Sequence, residues 1–221
     1  MPEYRNNSDT LIVVLHEIYG INDHIAGVCK GLADMGYDVV CPDLLDDKPA
    51  FDYDREEDAY LYFMNFVGLE LSLKRITFLL RQEENAYRQI FLLGYSVGAT
   101  IAWLCSIDPT KGSCLNQYCS CFKNLSGVIG FYGSRIREYP SLTPRCPVLL
   151  LFPEKETSFD PYELCEELSK KETVEVHILE GNHGFADPYA PKYNEASARQ
   201  ADRITKEFIE RLAANKYRNK T

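Results

Sequence analysis

The chain has 221 residues, and its 33 acidic and 24 basic side chains give it a formal net charge of −9 at pH 7. Hydrophobic residues make up 45% of the sequence and charged residues 26%, a balance typical of a globular protein with a buried core and not of a disordered chain. Because an acidic surface is repelled by phosphates and anionic lipid headgroups, neither a nucleic acid nor a membrane is expected as a partner.

Short apolar runs alternate with longer amphipathic stretches, which is the rhythm of a parallel sheet covered by helices. In chain order the predicted elements are strand Leu11–His16, helix Asn22–Met35, strand Asp38–Cys41, helix Arg55–Arg81 with a break near Gly68, strand Gln89–Gly94, helix Val97–Ser106, strands Gly127–Tyr132 and Pro147–Phe152, a helix starting at Asp160–Glu163, edge strand Val174–Leu179 and helix Ala196–Ala214. Since there is no internal repeat or linker, the sequence predicts one open, doubly wound α/β domain over residues 1–221, with a mostly parallel sheet and helices on both faces.

The apolar runs are too short to cross a membrane, because the longest, Leu11–Leu15 and Val148–Phe152, fall far below the ~20 residues of a spanning helix. Met1–Thr10 is polar and carries no signal-peptide core, so a cytoplasmic location is expected. Cysteines stay reduced in that compartment, and those within or beside predicted elements are expected as buried thiols: Cys29, Cys41, Cys105 and Cys165.

Three further cysteines, Cys114, Cys119 and Cys121, lie in a polar stretch at about 109–124 that has the composition of an insertion. A closed structural zinc site needs four ligands at suitable spacing and only three are local, so no metal is expected. Surface or partly buried thiols are the expected state, with a disulfide within the cluster as the alternative in an oxidising compartment. A metal- or redox-responsive protein acting through this cluster is therefore one function class left open.

The segment Gly94–Gly98 matches the G-x-S-x-G pattern and lies where a predicted strand runs into a predicted helix. In that context the pattern forms a sharp turn that exposes the serine hydroxyl at the start of the helix. Ser96 is therefore predicted to be a nucleophile, and the main-chain N–H of Val97 is predicted to face the oxyanion of an acyl-transfer reaction. The structural alternative is a plain glycine-serine turn.

A serine nucleophile needs a base, and the sequence has four histidines. His16 ends the first strand, His24 lies on a helix and His177 lies inside a strand, whereas His183 follows the last strand in a glycine-flanked loop. Loops beyond the carboxyl ends of parallel strands build the sites of such sheets. The chain order serine, acid, histidine also calls for a late histidine, so His183 is the predicted base.

The acid of a triad is expected after the Pro147–Phe152 strand and before His183. Asp160 has the sequence context of a helix cap, which already gives it a structural role. Glu156 lies in the loop just past the strand and has no such role, so it is the first candidate to orient the histidine, with Asp160 second.

The chain from about Leu11 onward resembles the dienelactone hydrolase family in five segments, which have that family's order and spacing: His16–Gly20, Cys41–Leu44, Gly94–Gly98, Gly130–Gly133 and His183–Phe185. The resemblance implies an α/β-hydrolase fold without a large cap domain. It also implies that Glu17 is part of the catalytic site and that the N–H of Ile18 completes the oxyanion hole. The acid of the family falls on Glu156.

The sequence departs from the family pattern at several points. The best-known members carry a cysteine nucleophile, activated by a glutamate at the position of Glu17, and an aspartate as the acid. Their N-terminal hairpin is short or absent here. The dienelactone enzymes hold the substrate carboxylate with two arginines; one matches Arg55, but the other falls on Asp187, which would repel a carboxylate. Arg55 has the alternative of a solvated charge at a helix end.

The function expected from these observations is a serine hydrolase that cleaves a small ester or lactone through an acyl-enzyme, without a cofactor, as a monomer or small homo-oligomer. The alternatives are a thioester or small-amide hydrolase with the same triad and a catalytically silent ligand-binding protein of the same fold. Four tyrosines are expected to line the substrate pocket, with simple coverage of the sheet as the alternative for each: Tyr19, Tyr60, Tyr95 and Tyr132.

Overall fold

The computed structural model describes residues 2–107 and 122–218; Cys114, Cys119 and Cys121, and with them most of the predicted insertion, lie outside these residues. The strands are β1 (Glu3–Tyr4), β2 (Thr10–Leu15), β3 (Asp38–Val40), β4 (Gln89–Tyr95), β5 (Leu125–Phe131), β6 (Val148–Lys155) and β7 (Val174–Asn182). The helices are α1 (Asp23–Asp34), α2 (Glu56–Tyr62), α3 (Gly68–Glu83), α4 (Val97–Cys105), α5 (Pro161–Leu168) and α6 (Glu195–Arg218).

The strands form one sheet in the order β1-β3-β2-β4-β5-β6-β7. Every neighbouring pair is parallel except β1 and β3, which are antiparallel. β7 lies at one edge, as its alternating sequence predicts. Because β2 to β7 point the same way, their carboxyl ends meet at one edge of the sheet, where α/β folds build their sites.

Alternate residues of each strand face opposite layers of helices. Leu11, Val13 and Leu15 of β2 pack into a core with α3, α4 and α5, whereas Ile12 and Val14 pack into a second core with α1 and α6. All five side chains are fully buried, and each such burial contributes about 1.5–3 kcal/mol of transfer free energy. The predicted doubly wound sheet with helices on both faces is therefore confirmed.

Local signals place the helix boundaries as predicted. The Asn22 side chain accepts a hydrogen bond from the Ile25 N–H at the start of α1, and Asp160 does the same for Tyr162 at the start of α5. The predicted helix over 55–81 breaks at Gly68, whose φ of +67° ends a π-helical turn between α2 and α3. The strand β1 was not expected, because two residues are too few for a periodic pattern.

The cysteines of the described residues are buried free thiols: Cys29, Cys41, Cys105, Cys146 and Cys165. The four of these that were expected to be buried are so. Across residues 2–107 and 122–218, no helix is long and apolar enough to cross a membrane.

Candidate active site

The turn between β4 and α4 holds Ser96 in a strained backbone conformation, with φ 52° and ψ −114°. Two neighbouring glycines make this possible, because a Cβ on Gly98 would lie 2.2 Å from the Leu15 carbonyl oxygen and one on Gly94 would lie 2.3 Å from the Gly98 carbonyl oxygen. The Ser96 N–H donates to the Phe131 carbonyl at 2.9 Å and ties the turn to β5. The two glycines of the G-x-S-x-G pattern are thus required because the backbone around this turn packs too closely for a side chain.

Three side chains from three strand ends meet at this turn. Ser96 Oγ lies 2.9 Å from His183 Nε2, and His183 Nδ1 lies 2.7 Å from Glu156 Oε1. The Glu156 side chain is only 5% exposed, whereas that of His183 is 32% exposed. A carboxylate can only accept, so it holds the proton on Nδ1 and leaves Nε2 free to accept from the serine hydroxyl. Asp160, the second candidate acid, is occupied in capping α5.

The turn after β2 carries Ile18, and a buried histidine holds this turn in place. His16 is fully buried, and its Nε2 accepts from the Leu44 N–H at 2.9 Å while its Nδ1 donates to the Glu17 carbonyl at 2.6 Å. Burial lowers the pKa of His16, so the ring stays neutral. Sequence reasoning placed His16 only at a strand end; its role as a cross-link depends on the loop around Leu44, which is distant in sequence.

The sequence predicts that two main-chain N–H groups, those of Ile18 and Val97, form an oxyanion hole beside Ser96. The N–H of Val97 is the first of α4 and has no partner within its helix, as for every first-turn amide. Ile18 lies in a turn closed by a hydrogen bond from the Gly20 N–H to the Glu17 carbonyl at 3.2 Å.

Glu17 is a buried carboxyl group close to the proposed base. Burial raises its pKa from 4.5 to about 7, against the opposing effects of His183 and the Tyr132 hydroxyl. Among the described residues, neither Glu17 Oε1 nor Tyr132 Oη has a partner at hydrogen-bond geometry. The Tyr132 ring packs on His183, with the ring centres 5.0 Å apart. The Glu17 carboxyl is therefore protonated more readily than an ordinary glutamate, and it lies beside the histidine.

Asp187 is 1% exposed and is fixed from two sides. The Tyr53 hydroxyl donates to Oδ2 and the Tyr189 N–H donates to Oδ1 at 2.9 Å. The charge of Asp187 raises the pKa values of Tyr53 and Glu17, so its field reaches the site. Tyr53 was missed from the sequence, because nothing near it indicates a partner at position 187.

Three of the predicted substrate residues make aromatic ring contacts: Tyr19, Tyr95 and Tyr132. Tyr132 lies against His183, and Tyr19 packs edge-on against Tyr53 at 5.0 Å. Tyr95 is 3% exposed and packs in the second core, on the α1 and α6 side of the sheet, which also contains the fully buried Tyr132.

Two further expectations concern Tyr60 of α2 and Arg55, the residue that directly precedes α2. Tyr60 is 46% exposed and makes no hydrogen bond or ring contact with the triad residues in the described part of the chain. The Arg55 guanidinium is bound by Asp58 at 2.8 Å and lies over the Phe51 ring. Arg55 thus lies at a helix end in an exposed ion pair, and its contact with a substrate stays a prediction.

The Glu17 carboxyl makes stability depend on pH. Its raised pKa contributes stability that is complete below pH 4.5 and is lost as the pH rises through about 7. A shift of this size corresponds to about 3 kcal/mol. We therefore expect the free energy of unfolding of Glu17→Gln, relative to that of the natural protein, to increase by up to this amount between pH 5 and pH 8 in urea titrations. Parallel pH profiles for the two proteins would contradict the expectation.

Comparison with known proteins gives consistent matches. The model of the dienelactone hydrolase family matches residues 4–213. The chain is 38% identical over 188 residues to the uncharacterized protein YczH of Bacillus subtilis, covering 84% of this chain and 85% of that one. It is 23% identical over 226 residues to a Yersinia pestis protein provisionally named carboxymethylenebutenolidase, covering 89% and 76%.

A solved structure from Klebsiella pneumoniae, provisionally described as a dienelactone hydrolase, superposes on the chain with a TM-score of 0.67. The two are 20% identical, and the match covers 88% of this chain and 84% of that one. The sheet order and these matches identify the fold as the α/β-hydrolase fold.

Proposed function

This chain belongs to the dienelactone hydrolase family and is a hydrolase that acts on ester bonds, and on that premise we propose that it cleaves small uncharged esters or lactones by a Ser96-His183-Glu156 triad. The observation that supports the triad is the continuous pair of hydrogen bonds from Ser96 Oγ to His183 and from His183 to Glu156. Nucleophile, base and orienting acid stand in the relation that acyl transfer needs.

In the proposed reaction Ser96 Oγ attacks the substrate carbonyl carbon while its proton passes to His183 Nε2. The Glu156 carboxylate stabilises the resulting imidazolium through Nδ1. His183 then returns the proton to the leaving alkoxide, which departs as an alcohol and leaves an acyl group on Ser96. A water molecule, deprotonated by His183, attacks this ester, and the acid product is released as the serine hydroxyl re-forms.

The negative charge of each tetrahedral intermediate is proposed to be received by the N–H groups of Ile18 and Val97. Such donors contribute about 3 kcal/mol each in acyl-transfer enzymes. The neutral His16 ring is a positioning residue in this scheme, because it fixes the Glu17 carbonyl and with it the turn that presents the Ile18 N–H.

The charges around the site favour an uncharged substrate. The negative charges of Asp187 and Glu56 both raise the pKa of Glu17, and the one arginine that the family pattern matched, Arg55, is bound by Asp58. A substrate carboxylate would therefore be repelled by these charges. Asp187 also occupies the position where the second arginine of the family pattern would bind such a carboxylate.

Paired esters of one leaving group test this preference. We expect kcat/KM for 4-nitrophenyl butanoate to exceed that for the 4-nitrophenyl monoester of glutaric acid by about tenfold or more. A repulsion of about 1.4 kcal/mol between the substrate carboxylate and the acidic side chains of the site is enough to produce a tenfold difference. Asp187→Asn keeps the side-chain shape and removes the charge, so it should narrow the ratio several-fold by improving the anionic ester more than the neutral one. A preference for the anionic ester in the natural protein would contradict the proposed substrate class while leaving the triad untouched.

A further inference from the structure

A cavity of about 590 Å³ lies between α1 and α6, on the face of the sheet that Tyr95 joins. Its floor is formed by Leu93, Tyr95 and Phe131, all buried side chains of the second core. Neither Ser96 nor His183 lines it. The rings of Tyr95 and Phe131 stack with their centres 4.6 Å apart. The cavity is thus distinct from the proposed catalytic site and of the size of ligand sites in other proteins.

The α1 wall of this cavity includes two glycines about one helical turn apart. Gly27 and Gly31 both line it, and a Cβ on either would meet no atom within 4 Å. Glycine inside a helix costs about 1 kcal/mol relative to alanine. Both glycines are solvent-exposed, so the space beside them is the open side of the cavity, where an ordinary helix residue would also raise the stability of α1.

Two buried polar groups in the walls have no partner among the described residues. His24 is 5% exposed and Thr205 is 7% exposed, both line the cavity, and His24 Nε2 and Thr205 Oγ1 make no hydrogen bond. Buried polar atoms without partners are costly and uncommon, and they often mark a missing ligand or water. His24 belongs to α1 and Thr205 to α6, and both atoms are closed to solvent in this structure, so a ligand reaches them only when neighbouring side chains shift.

The chemistry of His24 selects the polar group of a ligand. Burial lowers the pKa of His24, so its ring is neutral. Its Nδ1 faces the Asp187 carboxylate at 4.0 Å, which favours the proton on that nitrogen and leaves Nε2 as an acceptor. A ligand hydroxyl can donate to Nε2, whereas an ether oxygen cannot.

The formal charges of the lining cancel, because Asp23 and Asp202 are matched by Arg203 and Lys206. Met35, Tyr189 and Tyr193 expose apolar surface at its mouth. We propose that this cavity binds an uncharged molecule with an apolar body and a hydroxyl group that donates a hydrogen bond to His24 Nε2. Thr205 offers a second polar position on α6.

Two isosteric probes test the proposal with the whole chain. 1-Nonanol and 1-methoxyoctane have the same heavy-atom count, but only the alcohol donates a hydrogen bond. Displacement of the uncharged dye Nile red should give a Kd for the alcohol about tenfold lower than that for the ether, as one neutral hydrogen bond allows. His24→Phe keeps the ring packing on Tyr95 and should make the two affinities equal.

Gly31→Leu fills the cavity without removing a contact and should weaken binding of the alcohol by tenfold or more. Lys30→Leu adds the same side chain to an exposed position of α1 outside the cavity and should leave binding unchanged. Failure of the alcohol to displace the dye, or equal affinity for the natural protein and Gly31→Leu, would overturn the proposal. So would sedimentation showing that the natural protein is a dimer which Gly31→Leu dissociates, since a second copy would then cover the cavity.

Discussion

Replacing Ser96 by alanine is expected to lower kcat/KM for 4-nitrophenyl butanoate by about 10³-fold or more, to near the background rate. The variant loses the only atom that can form the acyl-enzyme, while the proposed oxyanion donors and His183 remain. Alanine and serine meet the same backbone strain at φ 52°, and the Ser96 hydroxyl has no contact other than His183 among the hydrogen bonds of the described residues. The loss should therefore be one of chemistry and not of folding.

Ser106, a buried serine at the end of α4, provides the control for this substitution. The Ser106 hydroxyl donates to the Trp103 carbonyl at the end of α4 and lies away from the triad, so Ser106→Ala should keep activity within about twofold while costing about 1 kcal/mol of stability. Retention of more than about a tenth of the activity in Ser96→Ala, with chelator present, would show that another group is the nucleophile.

Replacing Glu156 by glutamine is expected to lower kcat by about 10²- to 10⁴-fold. A glutamine amide can turn its NH₂ group towards His183 Nδ1, which moves the ring proton to Nε2. The histidine would then present an N–H to Ser96 and could not accept the hydroxyl proton. Loss of the buried negative charge also removes the stabilisation of the imidazolium. KM should change less than kcat, since the effect falls on proton transfer and not on binding.

Asp160→Ala is the matched control, because Asp160 was the alternative acid in the sequence. It caps α5, and its loss should cost about 1 kcal/mol of stability with activity kept within about twofold. Urea unfolding and ester hydrolysis on both variants separate the roles. If Asp160→Ala were inactive and Glu156→Gln active, the triad proposed here would have the wrong acid.

The fold was predictable because its signals are local. Short apolar runs separated by amphipathic helices, with caps at Asn22 and Asp160, predicted the strands and most helix starts. The parallel sheet then follows from the β-α-β rhythm, and the placement of residues 96, 156 and 183 at its carboxyl edge follows from the sheet.

The contacts that sequence reasoning did not supply depend on side-chain direction or on partners that are distant in the chain. Tyr95 stands next to Ser96 in the chain, yet strand alternation directs its ring to the α1 and α6 face. Tyr53 and Asp187 meet across 134 positions, and His16 reaches Leu44 across 28. No periodic pattern encodes such pairs, because they arise only when separate loops come together at the sheet edge.

Labelling by a fluorophosphonate tests the central claim, that Ser96 is an activated nucleophile, most directly. The probe forms a covalent phosphonyl ester only with a serine whose hydroxyl is activated by a base, and it does not depend on recognising the natural ester. The account predicts a single adduct on the natural protein, located at Ser96 by peptide mass spectrometry and absent from Ser96→Ala and strongly slowed in Glu156→Gln. An unlabelled natural protein, or an adduct that persists in Ser96→Ala, would contradict it.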